Sequence, residues 1–587
     1  MNTPPYIEAA EELRKNNEQW QAYESEGHCV VLAGPGSGKT KVITIKIARL
    51  LDEDVRLPRR LACITYSNAC VGELFRRLQQ LGVADDERLL ISTVHSFCLA
   101  ELVLPFARLA GMDVADPLVV ASPSKSRELF AKAYDQALGG QPPKWYRAEF
   151  DKLRRTIPDR GSSQWKNWPG RETEVVDAYE ALLLKHGLID FDGLVLAGLQ
   201  LIEKHGWVRS SICAKYPILV IDEYQDLGVP LHRMVLGLKE KAGVRIIAVG
   251  DPDQSIYGFT GAQPVLLRKL AALPDVEDIE LKLNYRCADR IIAASKMLLV
   301  DPADFKSHDG RQGDILIYET EKDVRGQADY ALGTVVPALL EDYDNWKYGD
   351  IAVLYWSLNE GNAVAEAADA LGLRYFRVDN GSPVKRSRLT EWLTDAARWC
   401  SGGWSSGTVS LSQLLRSWRA MRRSLTHEAE ILEVRRRLIA ALFGHRDGKL
   451  PLSEWLGIFH EEVLRRAFDE EPGLADEKEN FEALLEASAD GALRDYTVEI
   501  FGNQGRSPDQ INLMTLHNSK GLEFETVFLV GLEDGLFPSK YDNTQEKLDE
   551  KRRLFYVGLT RAKTIVHLMY AFSESVFIKA VRKAAGG

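Results

Sequence analysis

Residues 28–34, HCVVLAG, form an apolar run of strand length that ends in a glycine-rich turn. From 40 to 51 the apolar period changes, with Val42, Ile43, Ile45, Ile47 and Leu50 at helical spacing. Three further runs, 61–66 (LACITY), 216–221 (YPILVI) and 244–249 (VRIIAV), are apolar without alternation. Strands buried on both faces of a parallel sheet have this pattern. Helical stretches separate the runs, so the pattern predicts a parallel sheet with helices on both faces. Between about 101 and 190 the text is helical around a loop-like piece, 156–170 (TIPDRGSSQWKNWPG). A second α/β segment starts near 313, with IAVLYW (351–356) and ETVFLVGL (525–532) as its clearest strands. Between them, over roughly 401–500, helical patterns rich in Leu, Arg and Glu follow a flexible opening, SGGWSSG (401–407). The expected organisation is a first core over 1–100 and 191–280 interrupted by a helical insertion at 101–190. A second core follows over 281–400 and 501–587, interrupted by a helical insertion at 401–500.

Composition narrows the class. The 587 residues are 45% hydrophobic and 27% charged, which is ordinary for a globular chain too long for one core. No apolar stretch reaches the roughly 18 residues of a membrane span, and the N-terminus has no signal-peptide core. The seven cysteines are scattered without a C-x-x-C pair, which excludes a zinc ribbon or disulfide framework and fits a reducing cytoplasm. The net charge of −11 means that any nucleic acid is held in a local groove, not on a globally basic surface. Arg435–Arg436–Arg437 and Lys551–Arg552–Arg553 read as solvated helix faces.

The glycine turn carries chemistry. GPGSGKT matches the phosphate-binding pattern G-x-x-x-x-G-K-T and lies between a predicted strand and helix. Gly34, Gly36 and Gly38 let backbone N–H groups wrap phosphates, with Pro35 and Ser37 between them in the same loop. Lys39 reaches the β- and γ-phosphates, Thr40 offers a hydroxyl to Mg²⁺, and Lys41 closes the set. The strand 218–221 ends in Asp222 and Glu223, the first suited to hold Mg²⁺ and the second to orient or deprotonate water. The strand 244–249 leads into GDPDQSIYGFTGA (250–262), which puts Gln254 in place as a γ-phosphate sensor.

Together these stretches resemble superfamily 1 helicases of the UvrD/Rep/PcrA type. The likeness runs from about 15 to 570, through Asn17–Glu18–Gln19 (Q motif), ITYSNACVGEL (64–74), STVHSF (92–97), DEYQD (222–226), GDPDQSIYGF (250–259), LNYR (283–286), MTLHNSKGLEFETVFLVGLEDGLFP (514–538) and KRRLFYVGLTRAK (551–563). The resemblance implies an α/β fold of two RecA-like P-loop cores with parallel sheets, each interrupted by a mainly helical insertion. It implies ATP and Mg²⁺ as cofactors and single-stranded DNA and single/double-strand junctions as partners. By the same likeness Gln19 reads adenine, Tyr285 stacks on it, and Glu523 binds the ribose. Arg286 and Arg561 act as arginine fingers from the second core, so that hydrolysis requires cleft closure. Tyr66, Asn68, His95, Tyr257, Phe259 and His517 fall on DNA-facing positions.

The sequence also departs from the family's pattern. Phe259 stands where Trp is usual, and Thr260 follows it in place of Arg. Ala69 replaces a frequent lysine, and Trp356 stands where an arginine is expected. The second insertion is shorter than usual. About 24 residues follow residue 563, too few for a fused nuclease. The expected function is an ATP-dependent 3′–5′ DNA helicase or translocase in DNA repair, recombination or phage defence. A compact subunit working with a separate nuclease, of the Gabija kind, suits the shorter insertion. The alternative outside the motor class is an ATP-gated DNA clamp or sensor.

Overall fold

The run at 28–34 forms β1 (His28–Ala33), whose side chains alternate between two apolar clusters: Val30 on one side, Cys29 and Val31 on the other. The same alternation runs through β2 (Leu61–Thr65), β4 (Ile218–Ile221) and β5 (Arg245–Gly250), so both sheet faces are covered by helices. With β3 (Leu89–Thr93) and β6 (Val276–Leu281) they make a six-stranded sheet in the order β3-β2-β4-β5-β1-β6, parallel throughout. The computed structural model describes residues 4–83, 86–299, 304–406, 409–422, 425, 427–471, 474–505 and 507–585.

The chain divides into two compact units, Met1–Gln312 with Asn543–Thr560, and Gly313–Asp542 with Arg561–Gly587. Each unit holds a RecA-like core. The second has its own six-stranded parallel sheet, built from β7 (Asp314–Thr320), β8 (Ile351–Tyr355), β9 (Tyr375–Val378), β10 (Ile511–Thr515), β11 (Phe524–Leu529) and β12 (Ala562–Ala571). Its order is β7-β12-β11-β8-β10-β9. Unit 1 runs past the expected division at 281 to Gln312, so LNYR belongs beside the phosphate loop.

Each unit carries a separate helical cluster. In unit 1 helices Pro123–Leu138, Tyr146–Thr156 and Glu172–Lys185 pack around Phe130, Phe150 and Tyr179. Two-residue strands Val119–Val120 and Leu188–Ile189 pair at their base. The buried Arg154 donates to Asp190 at 2.6 and 3.1 Å and to Glu180 at 3.1 Å, satisfying a guanidinium that would otherwise be costly to bury. In unit 2 the helical cluster runs from Leu389 to Phe501 and so begins before 401. Helical turns follow helix Arg388–Arg398 as far as Ser406, but the backbone kinks at Ser401 and Gly402 (φ +123°), inside the opening expected to be flexible, and Gly407 lies outside the described residues. Among the described residues no helix is long and apolar enough to cross a membrane.

Candidate functional site

The phosphate-loop sequence leaves β1 and turns back into helix Lys39–Glu53. The turn needs glycine at Gly36 (φ +67°) and Gly38 (φ +85°), both in the left-handed region. A Cβ on Gly36 would also stand 2.6 Å from the Asn284 Oδ1 and the Arg286 Cβ. Four successive carbonyls are bound by protein donors. Ser37 Oγ donates to Gly34 O at 2.7 Å and Asn284 Nδ2 to Pro35 O at 2.8 Å. Tyr285 N donates to Gly36 O at 2.8 Å and Gln19 Nε2 to Ser37 O at 2.9 Å. Carbonyls tied outward leave the loop's N–H groups on the opposite, concave side, a nest for an anion. Gly38 gives the helix no side-chain cap, so its first N–H groups add to the same nest. Lys39 and Thr40 stand at that helix start, half-buried. Lys41 instead donates to Glu12 at 2.5 Å, a bond that holds the Glu12 carboxyl below its usual range.

On the neighbouring strands, Asp222 extends the β4 ladder by donating its N–H to Ile64 O at 2.9 Å, and its side chain is buried. The strand then breaks sharply, because Glu223 has φ +54° and ψ +43°. A non-glycine residue held there carries backbone strain, which the surroundings must over-determine. Gln225, fully buried, donates its amide to the Glu223 carboxylate, and its Oε1 accepts from Asp251 N at 3.0 Å. Asp251 in turn accepts from Gln254 Nε2 at 2.5 Å and from Asp253 N at 3.0 Å. Burial raises the Asp251 carboxyl above its ordinary range. The Lys39 ammonium and the Gln254 bond pull it down, and Glu223 pushes it up. Lys39, Glu223, Asp251 and Gln254 therefore share one local field. Gln225 and Asp251 were not singled out from the sequence; their only signal is polarity at the ends of buried strands.

Beside the loop, Asn16 caps helix Asn17–Glu24 and donates to the Tyr285 hydroxyl at 3.1 Å. Tyr285 is 40% exposed and lies against His308 with ring centres 4.6 Å apart. The structure gives Gln19 a bracing contact on the loop that the sequence did not foresee. Arg286 belongs to unit 1, where its backbone N–H donates to Asn284 Oδ1 at 2.8 Å and its Nη1 to Thr560 O at 3.5 Å. That corrects the expectation that it approaches from the second core. In unit 2, Arg561 is buried with Nη1 donating to Leu522 O at 3.2 Å. Glu523 is exposed with its carboxylate 3.6 Å from Lys563 Nζ, and His517 is half-buried after β10.

Three aromatic candidates of unit 1, Tyr66, Tyr257 and Phe259, converge. Tyr66 follows β2 and Tyr257 follows β5, yet their rings stack at 5.4 Å, and Tyr257 meets Phe259 at 6.2 Å. Phe259 is 47% exposed and Asn68 is exposed at the start of the next helix. His95 lies edge-on to Phe191 at 5.4 Å, its pKa pushed down by burial. Arg155, from the helical insertion, donates to Thr260 O at 2.9 Å and to Asp192 at 2.7 Å. A guanidinium thus reaches this loop although Thr260 replaces the expected arginine. Arg435, Arg436 and Arg437 are exposed on helix Glu428–Gly444, where Arg437 pairs with Glu433 at 2.8 Å.

Residues 15–273 match the UvrD/REP helicase N-terminal domain, and residues 463–573 match the UvrD-like helicase C-terminal domain. The chain belongs to the UvrD/Rep helicase family. It is thus an enzyme of the DNA helicase/ATPase class. Among its relatives is the ATP-dependent DNA helicase PcrA of Staphylococcus aureus (strain Mu50), 24% identical over 96% of this chain and 84% of the relative. PcrA of Staphylococcus epidermidis (strain ATCC 12228) matches at the same identity and coverage. For a UvrD/Rep member, Thr40 at the helix start and Asp222 at the strand end are a hydroxyl and a carboxylate. That set suits Mg²⁺, which takes one or two protein oxygens and completes its shell with water and substrate phosphates. No group of three or more His, Cys, Asp or Glu suited to hold a metal occurs among the described residues.

Proposed function

We propose that this chain hydrolyses ATP to move 3′ to 5′ along single-stranded DNA, acting at single/double-strand junctions. The observation that carries the reading is the hydrogen-bonded path from Glu223 through Gln225 and Asp251 to Gln254, three residues before Tyr257 in the aromatic stripe. A γ-phosphate sensor and a base-stacking surface on one short segment are what a motor needs and a passive clamp does not. In this reading Gly34–Thr40 hold the phosphates, with Lys39 on the β- and γ-groups. Tyr285 and Gln19 face adenine, and Glu523 the ribose. Thr40 and Asp222 hold Mg²⁺, which when bound neutralises phosphate charge. Glu223 accepts the proton of the attacking water, while Arg286 and Arg561 supply positive charge as charge develops on the γ-phosphate. Arginines in this role contribute about 10³–10⁵ in rate. Tyr66, Asn68, His95, Tyr257, Phe259 and His517 contact the strand.

The test is steady-state ATP hydrolysis with Mg²⁺ and oligothymidylate, beside single-turnover translocation on end-labelled strands. Wild type should hydrolyse strongly only with DNA. Lys39→Ala and Glu223→Gln should be inactive, and Glu223→Gln should still bind nucleotide. Turnover by Glu223→Gln at the wild-type rate would remove the base assignment. Displacement of a label from the 3′ end but not the 5′ end would reverse the polarity.

A further inference from the structure

Helix Gln545–Leu559 packs in unit 1, far in sequence from everything it touches there. Arg553 Nε donates to Ser255 O at 2.7 Å. One turn earlier, the Glu550 carboxylate accepts the Phe259 N–H. It comes so close to the loop that a Cβ on Gly258 would stand 3.0 Å from its Oε2. Residues three apart share a helix face, so one face of this helix grips both ends of the segment 255–259. Tyr257 lies between the two grips, and Gln254 immediately before the first. The segment is anchored at its start by Ser255 Oγ, which donates to Gln225 O at 3.0 Å, and by the buried Ile256; past Tyr257 the chain turns, with Thr260 N donating to Tyr257 O at 2.9 Å.

The other end of the helix reaches the nucleotide side. The Thr560 carbonyl, just past Leu559, accepts from Arg286 Nη1 and from Cys287 Sγ, both at 3.5 Å. From Arg553 to Thr560 is about 10 Å along a helix, at 1.5 Å per residue. Lys152 of the insertion bonds Glu546 at 2.9 Å on the first turn, fixing the near end. A rigid rod thus spans Arg286 and the base-stacking loop.

We infer that Glu550 and Arg553 are positioning residues that lock the Tyr257–Phe259 loop to this helix, so that a strand stacked on the aromatics sets the position of Arg286 and thereby stimulates hydrolysis. The inference rests on the DNA-dependent ATPase reading above. Neither residue is among those assigned above to nucleotide or DNA. Their loss severs the link while leaving both ends intact. Burial pushes the Glu550 carboxyl up and Arg553 down, the cost of seating a charged pair against backbone in a partly dry contact.

The experiment measures ATP turnover with and without oligothymidylate, and oligothymidylate affinity by fluorescence anisotropy. The variants are Glu550→Ala, Arg553→Met, the double variant, Glu550→Gln and Arg553→Lys. Glu550→Ala and Arg553→Met should each lose about ten-fold of the DNA-stimulated kcat, the order expected for one charged hydrogen bond. Turnover without DNA, KM for ATP and DNA affinity should stay within about two-fold. Glu550→Gln keeps an acceptor and Arg553→Lys a donor, so both should retain most of the stimulation. The double variant should be no worse than the poorer single one. Unchanged stimulation in Glu550→Ala and Arg553→Met overturns the inference. So does a parallel fall in unstimulated turnover and DNA affinity, or a Gln and Lys pair as impaired as Ala and Met, since either outcome marks a merely structural role. Absence of stimulation in the unmutated protein would instead show that the DNA-dependent ATPase reading has failed, and the lock with it.

Discussion

Two strand-to-helix turns, one in each unit, do opposite things with the same backbone groups. After β8 in unit 2, Ser357 Oγ accepts from Asn359 N at 3.3 Å, and the Glu360 carboxylate accepts from Ser357 N at 2.8 Å. The helix start is thereby satisfied by its own side chains. After β1 in unit 1, Gly38 offers no side chain and the helix start has no side-chain cap, the place that the proposed reading gives to phosphate. Both units have six parallel strands, so architecture does not distinguish them. What distinguishes them is whether the turn at a strand end supplies its own cap. Function is grafted at such turns, not specified by the sheet.

The sharpest way to break this contrast is Gly36→Ala. The left-handed backbone costs about 1–3 kcal/mol for a non-glycine residue. The Cβ also meets Asn284 and Arg286. ATP affinity should fall on the order of 100-fold by isothermal titration, with the thermal midpoint of unit 2 unmoved.

Acid should treat the two units alike. Burial holds His232 of unit 1 at a pKa of about 4 and His567 of unit 2 at about 3, from an ordinary 6.5. His232 Nδ1 meets the Tyr224 hydroxyl at 2.7 Å, and His567 Nδ1 the Tyr318 hydroxyl at 3.2 Å. Between pH 6.5 and those lowered values the unfolded chain binds the protons and the folded chain does not. Stability is therefore full above that window and falls as pH drops through it. Each histidine should cost on the order of 3 kcal/mol by the lower end, read as a falling calorimetric midpoint. His567→Phe should flatten the acid limb of unit 2 alone.

Smaller effects fall on the stacking stripe. Tyr257→Ala and Phe259→Ala should each weaken single-strand binding by about 1–3 kcal/mol, measured by anisotropy. Unweakened binding in both would return these rings to the core. The smallest effect belongs to the capped turn. Ser357→Ala should destabilise unit 2 by about 1 kcal/mol in urea unfolding and leave ATP affinity unchanged.

Much of this was legible along the chain, for a physical reason. The phosphate loop, Asp222–Glu223 and Gln254 each lie at the end of a continuous apolar run, so local pattern places them. β1, β2, β4, β5, β8 and β11 were visible for the same reason. The strands that escaped carry polar residues. β6 (VEDIEL) and β7 (DILIYET) are sheet edges with exposed positions, and β12 contains His567, which burial keeps neutral. The bracing of the site was not legible at all. Gln19 on Ser37, Arg155 on Thr260 and Arg553 on Ser255 join residues 18, 105 and 298 positions apart. Sequence spacing carries no trace of such pairs. Arg553 lies in a basic triplet that reads as a solvated face, as Arg435–Arg437 indeed are, yet its guanidinium is turned inward onto a carbonyl.

The four tethered carbonyls of Gly34–Ser37 have a kinetic consequence. Donors from the loop's own Ser37 and from two separate segments hold the loop in its concave form, so phosphate has no folding to induce there. Arrival of nucleotide should be a single encounter, without a slow isomerisation behind it. In stopped-flow mixing with a fluorescent ATP analogue, the observed rate should climb linearly with concentration and show no plateau. Gln19→Ala frees one tether and should introduce that plateau, because the loop must then find its shape after the nucleotide has arrived.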